Sequence, residues 1–321
     1  MYIKVDRNVL LTPISKIVNI TEKKSLMPIL SNILIEFQKD KTVIYSTDLE
    51  VSAIGYTISA SGEEQKIVVH GRKFLDILKE LDNDPIELET SENSVTMKQK
   101  ETKIVLGLQD PEEFPEVKKI KGFEEFVIEG GTLLEMMEKV SFAISMDETR
   151  YILTGMHMKG AEGIITMVGT DGYRMAQVQK EVRGLRGFKG ITIPRRSIGE
   201  LERVISEGDM INIAIGEKHV QFSTENMVVI SRIIEGNFPD YENAVPINEN
   251  IVTIDKDQFL KGLRKVSTII GRSEPVKITI GPGVMEMEAI SDIGQARELI
   301  NVDYTGQRIE LNFNGKFISD V

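Results

Sequence analysis

A chain of 321 residues, 41% of them apolar and 28% charged, calls for two or three cores, because single cores rarely grow past about 250–300 residues. It has no cysteine, which excludes disulfides and cysteine-ligated zinc. It also starts with Lys4 and Asp6 rather than a signal-peptide run and lacks the roughly 18 consecutive apolar residues of a membrane span, so a cytoplasmic protein with no membrane partner is expected. The net charge of −11 argues against DNA binding by the surface as a whole and allows it only if the cations gather on one face.

In chain order, one pattern recurs six times: a short alternating strand, a polar break, then an amphipathic helix. The strands begin with Ile3-Lys4-Val5, Ile67-Val68-Val69, Phe126-Val127-Ile128, Ile191-Thr192-Ile193, Val252-Thr253-Ile254 and Glu310-Leu311-Asn312-Phe313, spaced 59 to 65 residues apart. Five residues beyond each strand end an apolar residue opens a helical pattern: Leu10, Phe74, Leu133, Ile198, Phe259 and Ile318. Leu133, Leu134, Met137 and Val140, and likewise Ile198, Leu201, Val204 and Ile205, follow the 3.6-residue period. Alternating pairs such as Pro85–Glu89 with Ser94–Lys98, and Met210–Ile215 with His219–Phe222, read as antiparallel hairpins. Each module is thus β-α-β-β-β and the fold class is α+β.

A second repeat has twice that period. Thr47-Asp48, Thr170-Asp171 and Ser291-Asp292 each sit between two strand-like runs, and Phe114-Pro115 and Phe238-Pro239 are 124 residues apart. Two modules therefore make a domain, with boundaries near 120 and 247: residues 1–120, 121–247 and 248–321. The sixth module holds its strand and about one helical turn. The repeat length leads to the expectation of roughly 45 further residues in a complete third domain.

Enzyme chemistry finds little support. His70, His157 and His219 are scattered without metal-ligand spacing, no phosphate loop or nucleophile motif occurs, and Gly281-Pro282-Gly283 reads as a turn. No cofactor or metal is expected. An acidic site built from Asp48, Asp171 and Asp292 is disfavoured, because repeat-equivalent positions belong to different domains.

The segments Leu26-Met27-Pro28-Ile29-Leu30, Thr47-Asp48-Leu49-Glu50, Arg150-Tyr151-Ile152-Leu153-Thr154-Gly155-Met156, Thr170-Asp171-Gly172-Tyr173-Arg174-Met175-Ala176, Ile193-Pro194-Arg195-Arg196 and Glu235-Gly236-Asn237-Phe238-Pro239-Asp240-Tyr241, in this order and spacing, resemble the bacterial DNA sliding clamp family along the whole chain. The resemblance implies a non-enzymatic processivity factor: a head-to-tail homodimer closes a ring, with helices lining the hole and sheets outside. That ring encircles double-stranded DNA and tethers the replicative polymerase, the clamp loader and repair proteins through a short peptide motif. It places Lys24, Arg72, Arg150, Tyr151, Arg195 and Arg196 against DNA. Leu153, Thr170, Gly172, Tyr173, Arg174 and Pro239 would line the peptide pocket, with tyrosine at 173 where the family often has histidine. Ile104, Leu106 and Lys73 of one subunit would face Ile269, Ile270 and Glu298 of the other, with Arg297 diluting the charge complementarity. Two cations at a helix start, Arg195 and Arg196, oppose the helix dipole and hint at an external anion such as phosphate. An interaction scaffold of the same fold that does not close a ring is the alternative.

Overall fold

A computed structural model describes residues 2–22, 26–246, 248, 251–271 and 274–321 of the chain. Six helices follow the six repeat starts: α1 (Arg7–Ile17), α2 (Gly71–Glu80), α3 (Gly130–Ser141), α4 (Arg195–Val204), α5 (Lys256–Val266) and α6 (Gly315–Ser319). The expected anchors Leu10, Phe74, Leu133 and Ile198 are buried in the core, while Phe259 and Ile318 are half-buried. Local chemistry fixes where helices start. The Asp6 carboxylate accepts the Asn8 amide at 2.8 Å, Asp255 accepts that of Gln258 at 2.8 Å and Asn314 that of Lys316 at 3.0 Å, each satisfying a helix-start N–H that lacks an intrahelical partner.

One repeat strand is corrected. Val252-Thr253-Ile254 forms no strand; Thr253 makes an isolated bridge to Asp303. Its Thr253 N–H donates to the Asp303 carbonyl at 3.1 Å and the Asp303 N–H returns the bond at 2.9 Å. With a single bridging residue on each side, the run cannot build a ladder before Asp255 caps α5.

The chain divides into two compact units, residues 1–238 and 239–321. The first unit holds a five-stranded sheet (Ser61–Gly62, Tyr2–Asp6, Pro85–Thr90, Ser94–Gln99, Thr102–Gly107), an eight-stranded sheet and a four-stranded sheet (Met175–Glu181, Ile164–Thr170, Gly155–Ala161, Gly187–Pro194), with every pairing antiparallel. The eight-stranded sheet crosses the boundary expected near residue 120: Met227–Arg232 pairs with Val51–Ile58, Met227 opposite Gly55 and Ser231 opposite Val51. That pairing removes two exposed edges at once, so the first two repeats form one body.

Helices of this unit stand in a row, α2 beside α1, α1 beside α4, α4 beside α3. Cations stitch the row through helix carboxyl ends, where carbonyls lack intrahelical donors. Arg7 donates to the Leu78 carbonyl at 2.5 Å and to that of Lys79 at 3.1 Å, and Lys16 donates to the Val204 carbonyl at 3.0 Å. A continuous core built from Ile3, Leu10, Phe74, Leu133, Ile198 and Ile213, among others, lies under the row.

The second unit packs α5 on a four-stranded antiparallel sheet ordered Gly294–Asn301, Val284–Ser291, Pro275–Gly281, Ile309–Asn314. Its separate core centres on Leu263, Val266, Val276, Ile278, Met287 and Ile300.

Candidate functional site

Thr170-Asp171-Gly172-Tyr173-Arg174 forms the turn between the strands Ile164–Thr170 and Met175–Glu181. Its shape follows from its residues. The Asp171 carboxylate accepts the amides of Tyr173 and Arg174, both at 3.0 Å, and the Thr170 hydroxyl donates to the Arg174 carbonyl at 2.7 Å; this is the self-bonding that suits Asp and Thr to turns. Gly172 has φ +84°, so the backbone calls for glycine, and a Cβ there would press on Nη1 of Arg150, the movable end of a long side chain.

Two arginines brace this turn. Arg174 pairs with Asp171 at 3.1 Å, both side chains largely buried, and reaches the Phe142 carbonyl at 2.8 Å. Arg150 donates to the Asp171 carbonyl at 2.7 Å and to the Tyr173 hydroxyl at 3.3 Å, with its guanidinium 5.0 Å from the Tyr173 ring centre. The Tyr173 ring remains 76% exposed, an aromatic surface held in place from behind. Leu153 is half-buried in the short helical segment Glu148–Thr154 that also carries Arg150 and Tyr151. Leu153, Thr170, Gly172, Tyr173 and Arg174 therefore belong to one unit, with Leu153 linked to the turn through the Arg150 segment. Pro239 is the first residue of the other unit.

Arg150, expected at a DNA rim, is thus drawn onto the turn, while Tyr151 beside it is 62% exposed. The sequence does not single out Phe142, and it marks Asp171 by its place between two strands rather than as the partner of Arg174; their three-residue spacing was the available signal for that pair.

The repeat-equivalent turn at Thr47-Asp48-Leu49-Glu50 is filled by the chain itself. Arg196 Nη2 lies 2.6 Å from Asp48 Oδ2 and donates to the Ile20 carbonyl at 3.1 Å. Arg232 Nη1 reaches Glu50 Oε1 at 3.2 Å. Burial pushes the Asp48 carboxyl above the usual carboxylate range, against the lowering by the Val51 amide and by Arg196. Arg196, at a helix start whose dipole disfavours cations, thus has an anion within the chain, Asp48, while its side chain stays about half exposed. Arg195 is exposed and contacts the Met146 sulfur and, at 3.5 Å, the Ile144 carbonyl. Arg72 is half-buried, its Nε enclosed without a hydrogen-bond partner among the described residues. Lys24 lies outside the described residues.

Charge is segregated by element type. The six helices carry fourteen Lys and Arg against seven Asp and Glu, although the chain has 39 of the former and 50 of the latter. On α5 the exposed cations Lys261, Arg264 and Lys265 line one shallow groove. Two α1 cations are committed to the helix ends described above, so the free positive charge is smaller than the count suggests.

At a sheet margin of the first unit, the strand Thr102–Gly107 pairs on one side only. It presents half-exposed Ile104 and Leu106 and a 56% exposed Val105. In the second unit Gly294–Asn301 is likewise a sheet edge, Ile269 and Ile270 are half-buried against the core, Glu298 pairs with Lys265 at 2.6 Å and Arg297 with Glu286 at 2.5 Å. Lys73 is exposed.

No helix among the described residues is long and apolar enough to cross a membrane. Among these residues no group of three or more His, Asp or Glu could hold a metal ion. Asp48 and Asp171 sit in separate turns, each paired with its own arginine.

Three family models match in succession: DNA polymerase III beta subunit, N-terminal domain over residues 1–118, central domain over 127–240 and C-terminal domain over 243–321. Similar curated proteins include the beta sliding clamp of Pseudomonas aeruginosa, 27% identical over 100% of this chain and 89% of the relative. That of Caulobacter vibrioides is 29% identical over 100% and 90%. Among solved structures, the DNA polymerase III subunit beta of Pseudomonas aeruginosa aligns with a TM-score of 0.95 at 27% identity, over 100% of this chain and 89% of that one. A sliding clamp from Bartonella birtlesii bound to griselimycin aligns with a TM-score of 0.94 at 28% identity, over 100% and 89%.

Proposed function

This chain belongs to the DNA polymerase III beta subunit family, the bacterial sliding clamps, and on that premise we propose that it acts as a homodimeric ring that encircles duplex DNA and holds the replicative polymerase, the clamp loader and repair proteins through one peptide site. The observation that carries the reading is the run of three clamp domains from end to end of the chain. The role is that of a scaffold in DNA replication, in the cytoplasm, without cofactor.

The excess of cations on the helices supports a DNA-facing helix surface. A ring held on by topology needs only a weakly attractive lining, because tight phosphate pairing would oppose sliding. Arg195, Tyr151 and the cations of α5 fit that lining. Arg72 and Lys24 are assigned to it by family resemblance. Arg150 fits a second role, positioning Tyr173. Ring closure is assigned to the edge strand with Ile104 and Leu106 meeting Ile269 and Ile270 of a second copy, with Lys73 and Glu298 flanking.

The peptide site is assigned to the surface of Leu153, Thr170, Gly172, Tyr173 and Arg174; Pro239 is named for it by family resemblance alone. A braced but exposed aromatic is the kind of residue that dominates binding, commonly by about 2 kcal/mol or more. Tyr173→Ala is expected to weaken a labelled short peptide carrying the replicative polymerase's clamp-binding motif by roughly 30-fold, measured by fluorescence anisotropy, with the melting temperature unchanged. Tyr173→Phe keeps the ring over Arg150 and should weaken the peptide far less. A peptide that binds the wild type and the alanine variant equally would refute the assignment.

A further inference from the structure

Asp171 does more in the peptide turn than turn geometry requires. One carboxylate oxygen, Oδ1, accepts the Tyr173 and Arg174 amides, both at 3.0 Å. That is turn chemistry, and asparagine performs it as well as aspartate. The other oxygen, Oδ2, accepts Nε of Arg174 at 3.1 Å, with both side chains largely buried. The Asp171 carbonyl accepts Nη1 of Arg150 at 2.7 Å.

The equivalent turn of the first repeat divides the work in the same way. Asp48 Oδ1 accepts the Glu50 amide at 2.9 Å and the Val51 amide at 2.6 Å. The Thr47 hydroxyl accepts the Leu49 amide at 3.0 Å, as that of Thr170 accepts the Gly172 amide at 3.1 Å. Asp48 Oδ2 again faces an arginine, Arg196, which arrives from α4. In the peptide turn the arginine belongs to the turn itself, so the ion pair fixes the direction of a residue of the site.

That direction is inward. Arg174 Nη2 donates to the Phe142 carbonyl at 2.8 Å, and its guanidinium lies 5.4 Å from the Phe142 ring centre. Phe142 follows the last residue of α3, where carbonyls lack intrahelical donors and a cation is favourable. Arg150 also has a carboxylate nearby, Asp147 at 3.8 Å from its Nε. The turn therefore shows solvent chiefly the Tyr173 ring, with its two cations compensated from within the chain.

Granted the peptide-site reading, on which this rests, we propose that Asp171 is a positioning residue that sets the selectivity of the site. Its carboxylate holds Arg174 against Phe142 and keeps an uncompensated cation away from the bound peptide, which closes the site to acidic side chains. Asparagine at 171 would keep the turn and lose the counter-charge. A cation so released attracts the opposite sign and repels its own, and the selectivity of the site shifts with it.

The test measures binding of the labelled motif peptide to the full chain by fluorescence anisotropy, together with forms in which each peptide residue in turn is glutamate. Asp171→Asn retains Oδ1 for the two amides and sets an N–H donor opposite Nε of Arg174. Relative to the parent peptide, no glutamate form should gain in the wild type, and at least one should gain roughly tenfold in Asp171→Asn, less so as salt rises. Removing one member of a largely buried pair costs stability, so a second variant combines Asp171→Asn with Arg174→Gln and replaces the pair by two neutral amides. There the glutamate gain should vanish, whereas a merely structural role would weaken every peptide in proportion in both variants. Arg174→Gln alone leaves the carboxylate uncompensated and should favour lysine forms of the peptide instead, a result readable even where Asp171→Asn does not fold. Absence of a glutamate gain in folded Asp171→Asn, an equal gain in the double variant, or no lysine gain in Arg174→Gln would overturn the assignment. Parent binding indifferent to Tyr173→Ala would remove the peptide site itself, and the assignment with it, so the two failures are told apart.

Discussion

Substituting Asp for both Ile104 and Leu106 should convert the proposed dimer to monomers, raising its dissociation constant by more than 100-fold. The strand Thr102–Gly107 is paired to Ser94–Gln99 on one side only. An edge strand with apolar side chains is a template for a second chain unless something covers it. Two carboxylates buried in such a joint without partners would cost several kcal/mol, and about 3 kcal/mol already corresponds to more than 100-fold. Ile104 is half-exposed in the single chain, whereas Leu106 also packs against the core, so its substitution should cost some stability; thermal melting measures that cost, Ile104→Asp alone serves as the milder variant, and light scattering across a dilution series reads the mass. Lys73→Glu should matter much less. Glu298, its expected partner, is already neutralised by Lys265, and Arg297 is neutralised by Glu286, so the dilution of charge expected from Arg297 is offset within the unit. A double variant with unchanged mass at every dilution would remove this edge from the interface.

Lowering the pH should destabilise the first unit through His157. Its ring lies 4.4 Å from that of Phe238, nearly parallel, and burial, with Lys159 nearby, brings its pKa down from 6.5 to about 4. The folded state therefore holds the neutral ring. The stability this contributes is complete above pH 6.5, where the unfolded chain is also neutral, and falls as the pH drops from 6.5 to 4, because the unfolded state binds the proton first. A gap of that size corresponds to about 3 kcal/mol at most. His157→Phe keeps a ring against Phe238 but cannot titrate. Urea unfolding between pH 7 and 4 should lose that part of the slope in the variant, the carboxylates contributing alike to both proteins. Identical pH slopes would show that His157 is protonated at no cost in the fold.

Most of the architecture was legible because the repeat is written in residue types with local consequences. The spacing of Leu10, Phe74, Leu133 and Ile198 is a core requirement, and each is buried. Val252-Thr253-Ile254 has the same pattern and forms no strand, since alternation cannot reveal whether a neighbouring strand exists to receive it. The continuity of the eight-stranded sheet from the first repeat into the second was also hidden, because pairing between Val51–Ile58 and Met227–Arg232 links segments with no local mark of each other.

The site was legible in part. Thr170, Asp171 and Gly172 carry turn chemistry that reads directly from their identities. That Arg150 braces Tyr173 did not, because residues 23 apart are joined only by the fold. Nor did the fate of Arg196, where the unfavourable charge at a helix start was real but its counter-ion was Asp48.

The central claim is topological, and retention on DNA tests it. The chain is loaded by a bacterial clamp loader onto nicked circular DNA, isolated with it by gel filtration, and the circle is then cut once. A closed ring should stay with the circle in moderate salt and run off after the cut. Equal retention before and after cutting, with loss driven only by salt, would mean that the protein binds DNA by charge alone and does not encircle it.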